Sequence, residues 1–536
     1  MTGHHSPLTR RGFLRAAGGA ALLVPFASAC GDTRTTSQPG AGGALRYALS
    51  AEPKGLDPAT TGESNSGIVI HNVYDRLLEL TGDGKDVAAG LAERWEVTPD
   101  GIGHTFHLRQ GVKFSDGSVL DAAAVVASLR RTMEVGQGAS DLLVDHVQPG
   151  NIVAKDAGTV VITLDAPFSP FLRTLALDAV GSVVNPAVVA ANKTQADPTA
   201  AKYLARNMAG SGAFQFVRWT PNQVIEVKAF EGHWRGRPKL SGVLFNSPVE
   251  PSTAALQLER GDLDVVGNLP VNLIDRLAQN ENITVLATPL LDITYWIFQT
   301  EQPPFDDVRV RQAICYAIDH EAIMANVVKE SGIPLRGPIP GSLVDGYADH
   351  QDVVVYKRDV AKAKALLAQA GHGNGLKIDS TYVPGYGTLK QIAEVMQANL
   401  KEVGVECTIG ELPLSTIIDK VGKGELPFFS WKSTLNYASP DALLYGKLHG
   451  KASRSVEGNL AHYRDDEVDR LLDRARGSAD RAEQDADWLA ASARISQDAP
   501  WLPLYQDVDR RAVRKNISNY KESALTRPDL FTVAKG

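Results

Sequence analysis

Two short runs rich in β-branched and aromatic residues, 213–219 and 224–230, flank Thr220, Pro221 and Asn222. Proline presets φ for a tight turn and these side chains suit a pleated surface, so the pair reads as a β-hairpin. An aromatic loop rich in Gly and Arg follows (His233, Trp234, Arg235, Gly236, Arg237, Pro238), and then a fresh strand at 243–245. By physical pattern alone this is the surface hairpin of a mixed domain.

The rest of the chain supplies that domain. At 536 residues it is too long for one simple domain and compatible with two to four. Residues 45–50 read as a first strand, followed by Leu56-Asp57-Pro58 and a polar stretch. The spacing of Ile70, Val73, Leu77 and Leu80 predicts an amphipathic helix over 68–80. Strands at 95–97 and 104–108 flank an Asp100-Gly101 turn, and Asp121 caps a helix carrying Val125, Val126 and Leu129. His104 and His107 read as surface residues. Pro167, Pro170 and Pro186 interrupt a mostly helical region ending at Met208, and Gly261 stops a helix that begins near Ser252.

The second half alternates strand and helix, as an α/β domain does. Strands are expected at 293–298, 378–383, 405–409 and 501–504. Helices are expected after a cap at Asp306, at 359–371 and at 388–403. The charges of 464–487 form the solvated face of a helix whose inner side carries Val468, Leu471, Leu472 and Ala475.

The order of residues from Gly210 to Pro238 resembles the hallmark segment of the extracellular solute-binding proteins, family 5, which serve peptide, dipeptide and nickel ABC importers. In that family a G-T-G-P-aromatic turn opens a hairpin carrying a Trp and leads through an aromatic pair to Gly-x-Pro. Ser211 and Ala213 replace the usual Thr and Pro. The stretch GLAERWEVTPDGIGHTFHLRQGVKFSDG (90–117) is similar to a second family segment nearly residue for residue, and FDDVRVRQAICYAIDH (305–320) to a third. The resemblance implies an α/β fold of two lobes, periplasmic-binding-protein-like, with an additional subdomain in the first lobe. It places lobe I at 44–80, 209–290 and 500–536, the subdomain at 81–208 and lobe II at 291–499. It implies ligand capture between the lobes and delivery to a membrane permease, with no catalysis, cofactor or metal, by a monomer.

Family members open with a strand, an L-D-P turn and a segment along the ligand, so Thr61, Gly62 and Glu63 are cleft candidates by that match. The stretch FFSWKSTLNYASPD (428–441) sets Trp431 and Tyr437 beside Lys432, Ser433, Thr434 and Asn436, the mix of aromatic walls and placed polar groups that pockets use. It resembles the family segment in which an Asp after a Trp pairs with a peptide's α-amino group. Counting from Trp431 puts Thr434 at that position; counting back from Pro440 puts Asn436 there. Neither is a carboxylate, and neither can neutralise an ammonium. A blocked peptide, a longer peptide or a non-peptide solute therefore stay open, and Glu63 is the first alternative acid.

Enzyme signatures are missing: the sequence holds no Gly-x-Ser-x-Gly, no Walker loop and no CxxC. His320-Glu321 begins like a zinc-protease motif, but position 324 is Met, so one helix face cannot hold the metal. An exported hydrolase, or a sensor or scaffold on the same fold, remains the alternative. The formal net charge of −7 leaves no excess of Lys and Arg for nucleic acid. Residues 1–29 carry Arg10, Arg11 and Arg15 and no acid, so their removal makes the chain more negative still.

Thr9-Arg10-Arg11-Gly12-Phe13-Leu14 resembles a twin-arginine signal, and the apolar stretch behind it ends at Ala27-Ser28-Ala29-Cys30. A cut before Cys30, lipidation of Cys30 and a tether over 30–43 rich in Gly, Ser and Thr would anchor an otherwise exported protein to the outer face of the membrane. Cys315 and Cys407 read as buried small hydrophobes, with a disulfide between them left open.

Overall fold

A computed structural model describes residues 43–385, 387–452 and 458–536; Arg10, Arg11, Cys30 and nearly all of the expected tether lie outside them. Two long strands organise what is described. Ile283–Phe298 and Trp501–Arg514 run antiparallel along most of their length inside an eleven-stranded sheet. On one side follow Phe428–Thr434, Leu376–Tyr382 and Val405–Glu411; on the other follow Val265–Val266, Leu45–Ala48, Gly242–Asn246, Val224–Ala229 and Phe214–Thr220. The pairing of the two long strands slips between Pro289 and Ile293, where a proline cannot donate to the ladder. Gln506 Nε2 donates to Leu290 O at 2.7 Å across that break.

The hydrophobic residues bury themselves in separate clusters along this frame. One contains Trp296, Phe298, Ile314, Phe428, Leu472 and Trp488, from the chain between 291 and 505. A second, around the four-stranded sheet of Ala92–Val97, Gly103–Leu108, Thr159–Thr163 and Ile152–Asp156, takes its side chains from 77–183 and adds Tyr437. A third contains Tyr47, Val69, Phe214, Phe245 and Leu530.

Several expectations are corrected. The first helix is Ser64–Val73 and not 68–80, because Gly212 N donates to Val73 O, the carbonyl that a further helical turn would need. Its apolar continuation belongs to a strand, Leu78–Leu80, paired with Val87–Ala89. The cap of the helix Val308–Ala317 is Asp307, which accepts from Arg309 N at 2.8 Å, and not Asp306. The charged stretch forms two helices, Asp466–Gly477 and Arg481–Asp498, with Val468, Leu471, Leu472 and Ala475 buried. His104 is buried against Phe171, and burial pushes its pKa down to about 4. Cys315 and Cys407 are both buried and free. No helix among the described residues is long and apolar enough to cross a membrane.

Candidate functional site

The hairpin forms as expected, with Asn222 at φ 59° in its turn, and its flanking motif packs against the exit of the first helix. Asp75, at the end of that exit, is buried. Ser211 Oγ donates to Asp75 Oδ2 at 2.9 Å, Trp234 Nε1 to the same oxygen at 3.2 Å, and His233 Nε2 lies 3.3 Å from Oδ1. A Cβ on Gly210 would sit 2.1 Å from Val73 O, and one on Gly212 2.6 Å from Val73 C. These glycines are there for close backbone approach. The hallmark is therefore a bracket that fixes residues 73–76. Leu56-Asp57-Pro58 forms a second bracket, in which the fully buried Asp57 receives the Arg131 guanidinium from the helix Ala122–Val135.

What the brackets frame is a cleft of about 1540 Å³. Its lining includes the first helix and the residues before it, Asp178, the tail around 521–532, residues of 434–446, Arg476 and residues of 138–146. Thr61, Gly62, Glu63, Thr434, Asn436 and Tyr437 all line it. Trp431, Lys432 and Ser433 do not. Trp431 is buried edge-on to Phe429, Ser433 Oγ meets Tyr295 Oη at 2.6 Å, and Lys432 Nζ sits 3.1 Å from Asp292 and 3.2 Å from Asp507. Strand alternation turns 431 and 433 into the core. Lys432 shares the face of Thr434 but is captured by carboxylates two residues short of the cleft.

The polar groups divide into those already used and those left open. Glu63 accepts from Asn65 N at 2.8 Å and Ser66 N at 2.7 Å, capping its own helix. Tyr437 Oη donates to Asp441 Oδ2 at 2.7 Å, and burial and that carboxylate push its phenol well up. Asp441 also takes Arg476 in a two-point pair at 2.8 and 3.2 Å, and the guanidinium lies 3.6 Å from the centre of the Tyr445 ring. Thr434 and Asn436 are exposed in the cleft, and among the described residues neither side chain has a hydrogen-bond partner.

The residues around Asp178 escape sequence reading. Asp178 meets His71 Nδ1 at 3.0 Å, Arg76 Nη1 at 2.9 Å and Arg527 Nε at 3.1 Å. Burial opposes ionisation there, yet these three bases hold the carboxyl far below its ordinary range. They come from three distant parts of the chain, so no spacing could have announced them. Asp441 and Arg476 are equally silent. No group of three His, Cys, Asp or Glu side chains among the described residues is placed to hold a metal ion.

The model of the bacterial extracellular solute-binding proteins, family 5, matches residues 86–455. The chain belongs to that family. The probable D,D-dipeptide-binding periplasmic protein of Escherichia coli K12 is 30% identical over 475 residues, covering 88% of this chain and 90% of that one. Heme-binding protein A of Haemophilus influenzae is 28% identical over 500 residues, covering 89% of each. Among solved family 5 structures, HbpA2 from Haemophilus parasuis superposes with a TM-score of 0.81 at 24% identity, over 92% of this chain and 100% of its own. The DppA protein of Helicobacter pylori with the peptide STSA gives 0.77 at 25%, over 92% and 98%. The fold is thus the two-lobed α/β fold of periplasmic binding proteins, and these family 5 relatives are solute-binding proteins, not enzymes. Like them, this chain is a solute-binding protein of that family.

Proposed function

We propose that this family 5 protein captures a peptide-like solute that does not present a free α-ammonium to the Thr434–Asn436 turn, and hands it to a membrane permease. The observation that carries the reading is the pair of neutral, unpartnered side chains at this turn, while Asp441 of the same segment is taken by Arg476 and Glu63 caps its own helix. An ammonium placed there would be desolvated without a counter-charge. The lobes would be 44–80 with 209–290 and 500–536, and 291–499, with 81–208 as the subdomain. The separate clusters support that division in the main, with 501–505 and Ala524 packing into the core of 291–499 and Tyr437 into that of 77–183. Closure about the two long strands would exclude water and present a surface to the permease.

The test compares N-acetylated and free-amine forms of the same peptides by calorimetry. The acetylated form should bind at least as well, and Asn436→Asp should shift preference toward the free amine by about 1 kcal/mol or more. A wild type that demands the free amine would sink the reading.

Export belongs to the same proposal. Arg10-Arg11 and Cys30 predict a mature, lipid-anchored protein beginning at Cys30. Cys30→Ala should release folded protein into the medium; native protein already soluble outside the cell would contradict the anchor.

A further inference from the structure

Glycine inside a helix is less favourable than alanine, so one that stands there needs a reason. Gly67 is the fourth residue of the helix Ser64–Val73, and it lines the cleft. A Cβ at this position would stand 2.2 Å from Cζ of Arg527 and 2.5 Å from its Nη2. The guanidinium lies against the bare helix backbone, a seat that no other residue at 67 would leave.

The seat is held from several directions. Arg527 Nε donates to Asp178 at 3.1 Å, and Nη1 to Leu525 O at 3.0 Å and Ser64 O at 3.4 Å. The preceding residue, Thr526, has φ 55°, a strained setting for a β-branched residue that serves to aim the next one. Among the described residues, Nη2 has no hydrogen-bond partner, so two N–H donors of a fixed cation remain unspent at the cleft wall.

The acids of that wall are engaged elsewhere. Glu79 takes Arg76, Asp529 takes Arg235, and Glu522 takes Arg511 and Tyr520 Oη. Lys521, on the same tail and also lining the cleft, has no ion-pair partner among the described residues.

We propose that Arg527, seated on Gly67, is an anion-recognising group of the cleft and selects solutes that carry a carboxylate, donating to it from Nη2. The inference deepens the functional reading above, since it concerns the same cleft. With a neutral turn at Thr434 and Asn436 and a guanidinium in the lining of the same cleft, the cleft suits an acid that lacks, or hides, its amine.

The experiment uses two probes, a peptic hydrolysate of casein and a small-molecule extract of bacterial cells, each before and after methyl-esterification of carboxyl groups. Purified protein is equilibrated with each probe, and bound solutes are counted by mass spectrometry. Wild type should recover at least tenfold less from the esterified probes. Arg527→Gln should recover the untreated and esterified forms alike. Should the Gln variant fold poorly, Arg527→Lys keeps the tether to Asp178 without the guanidinium fork, and Gly67→Ala displaces the guanidinium from an improved helix. Both should lose most of the preference for acids while melting cooperatively.

Equal recovery of esterified and untreated solutes by wild type overturns the inference even if those solutes are peptides. Retention of the acid preference in all three variants overturns it too. Recovery of non-peptide acids, lost in the variants, upholds Arg527 and removes the peptide reading. No recovery from any probe overturns both.

Discussion

Asp75 shows how one side chain ties a motif to a site it does not enter. Three donors, on Ser211, His233 and Trp234, converge on its two oxygens in a buried place. Removing the acceptor strands all three, and a buried unsatisfied donor costs about 1–3 kcal/mol. Asp75→Ala should therefore lower stability by about 3 kcal/mol or more in urea unfolding, while Ser211→Ala costs markedly less. An Asp75→Ala loss no larger than that of Ser211→Ala would refute the bracket. Because Asp75 adjoins Arg76 of the cleft wall, the variant should also weaken solute binding without touching the solute.

At the scale of the element, the two long strands carry a charge problem where their register slips. Lys432 Nζ is shared by Asp292 and Asp507, and one ammonium cannot neutralise two carboxylates. Burial, opposed by Lys432 and reinforced by Asp292, pushes Asp507 up to about 6. A carboxyl whose folded pKa is raised contributes stability at low pH, present in full below its unfolded value near 4 and lost as pH rises through about 6. Asp507→Asn removes that loss. Its melting temperature relative to wild type should thus be higher at pH 8 than at pH 5. A pH-independent difference would show that Asp507 does not titrate in this window.

At the scale of the whole molecule, Asp178 fastens together the first helix, the region of 171–181 and the carboxyl-terminal tail through His71, Arg76 and Arg527. Its depressed pKa works in the opposite sense: the stability it contributes is present above the unfolded value near 4 and is lost as pH falls below it. Asp178→Asn should destabilise the protein by about 3 kcal/mol near neutrality, since Arg527 loses its carboxylate partner and Arg76 keeps only Glu79. That difference should shrink on acidification below pH 4. A difference that stays constant to pH 3 would mean the group is not ionised in the fold.

Much of the fold could be read from the chain because its signals are local. The hairpin at 214–229, the cap at Asp121 and the stop at Gly261 each rest on contacts within a few residues. The turn with Thr434 and Asn436 was legible for the same reason. Two departures from expectation came from a distant partner. Val73 O went to Gly212 and ended the first helix, and Lys432 went to Asp292 and Asp507 and left the cleft. Arg527 and Asp178 are 349 positions apart, and neither sits in a motif. The sequence by itself thus determined the elements, the family and a neutral turn at the cleft. Tertiary structure alone decided which charges line the cleft, because a charge is spent or left available by partners that only folding brings within about 3 Å.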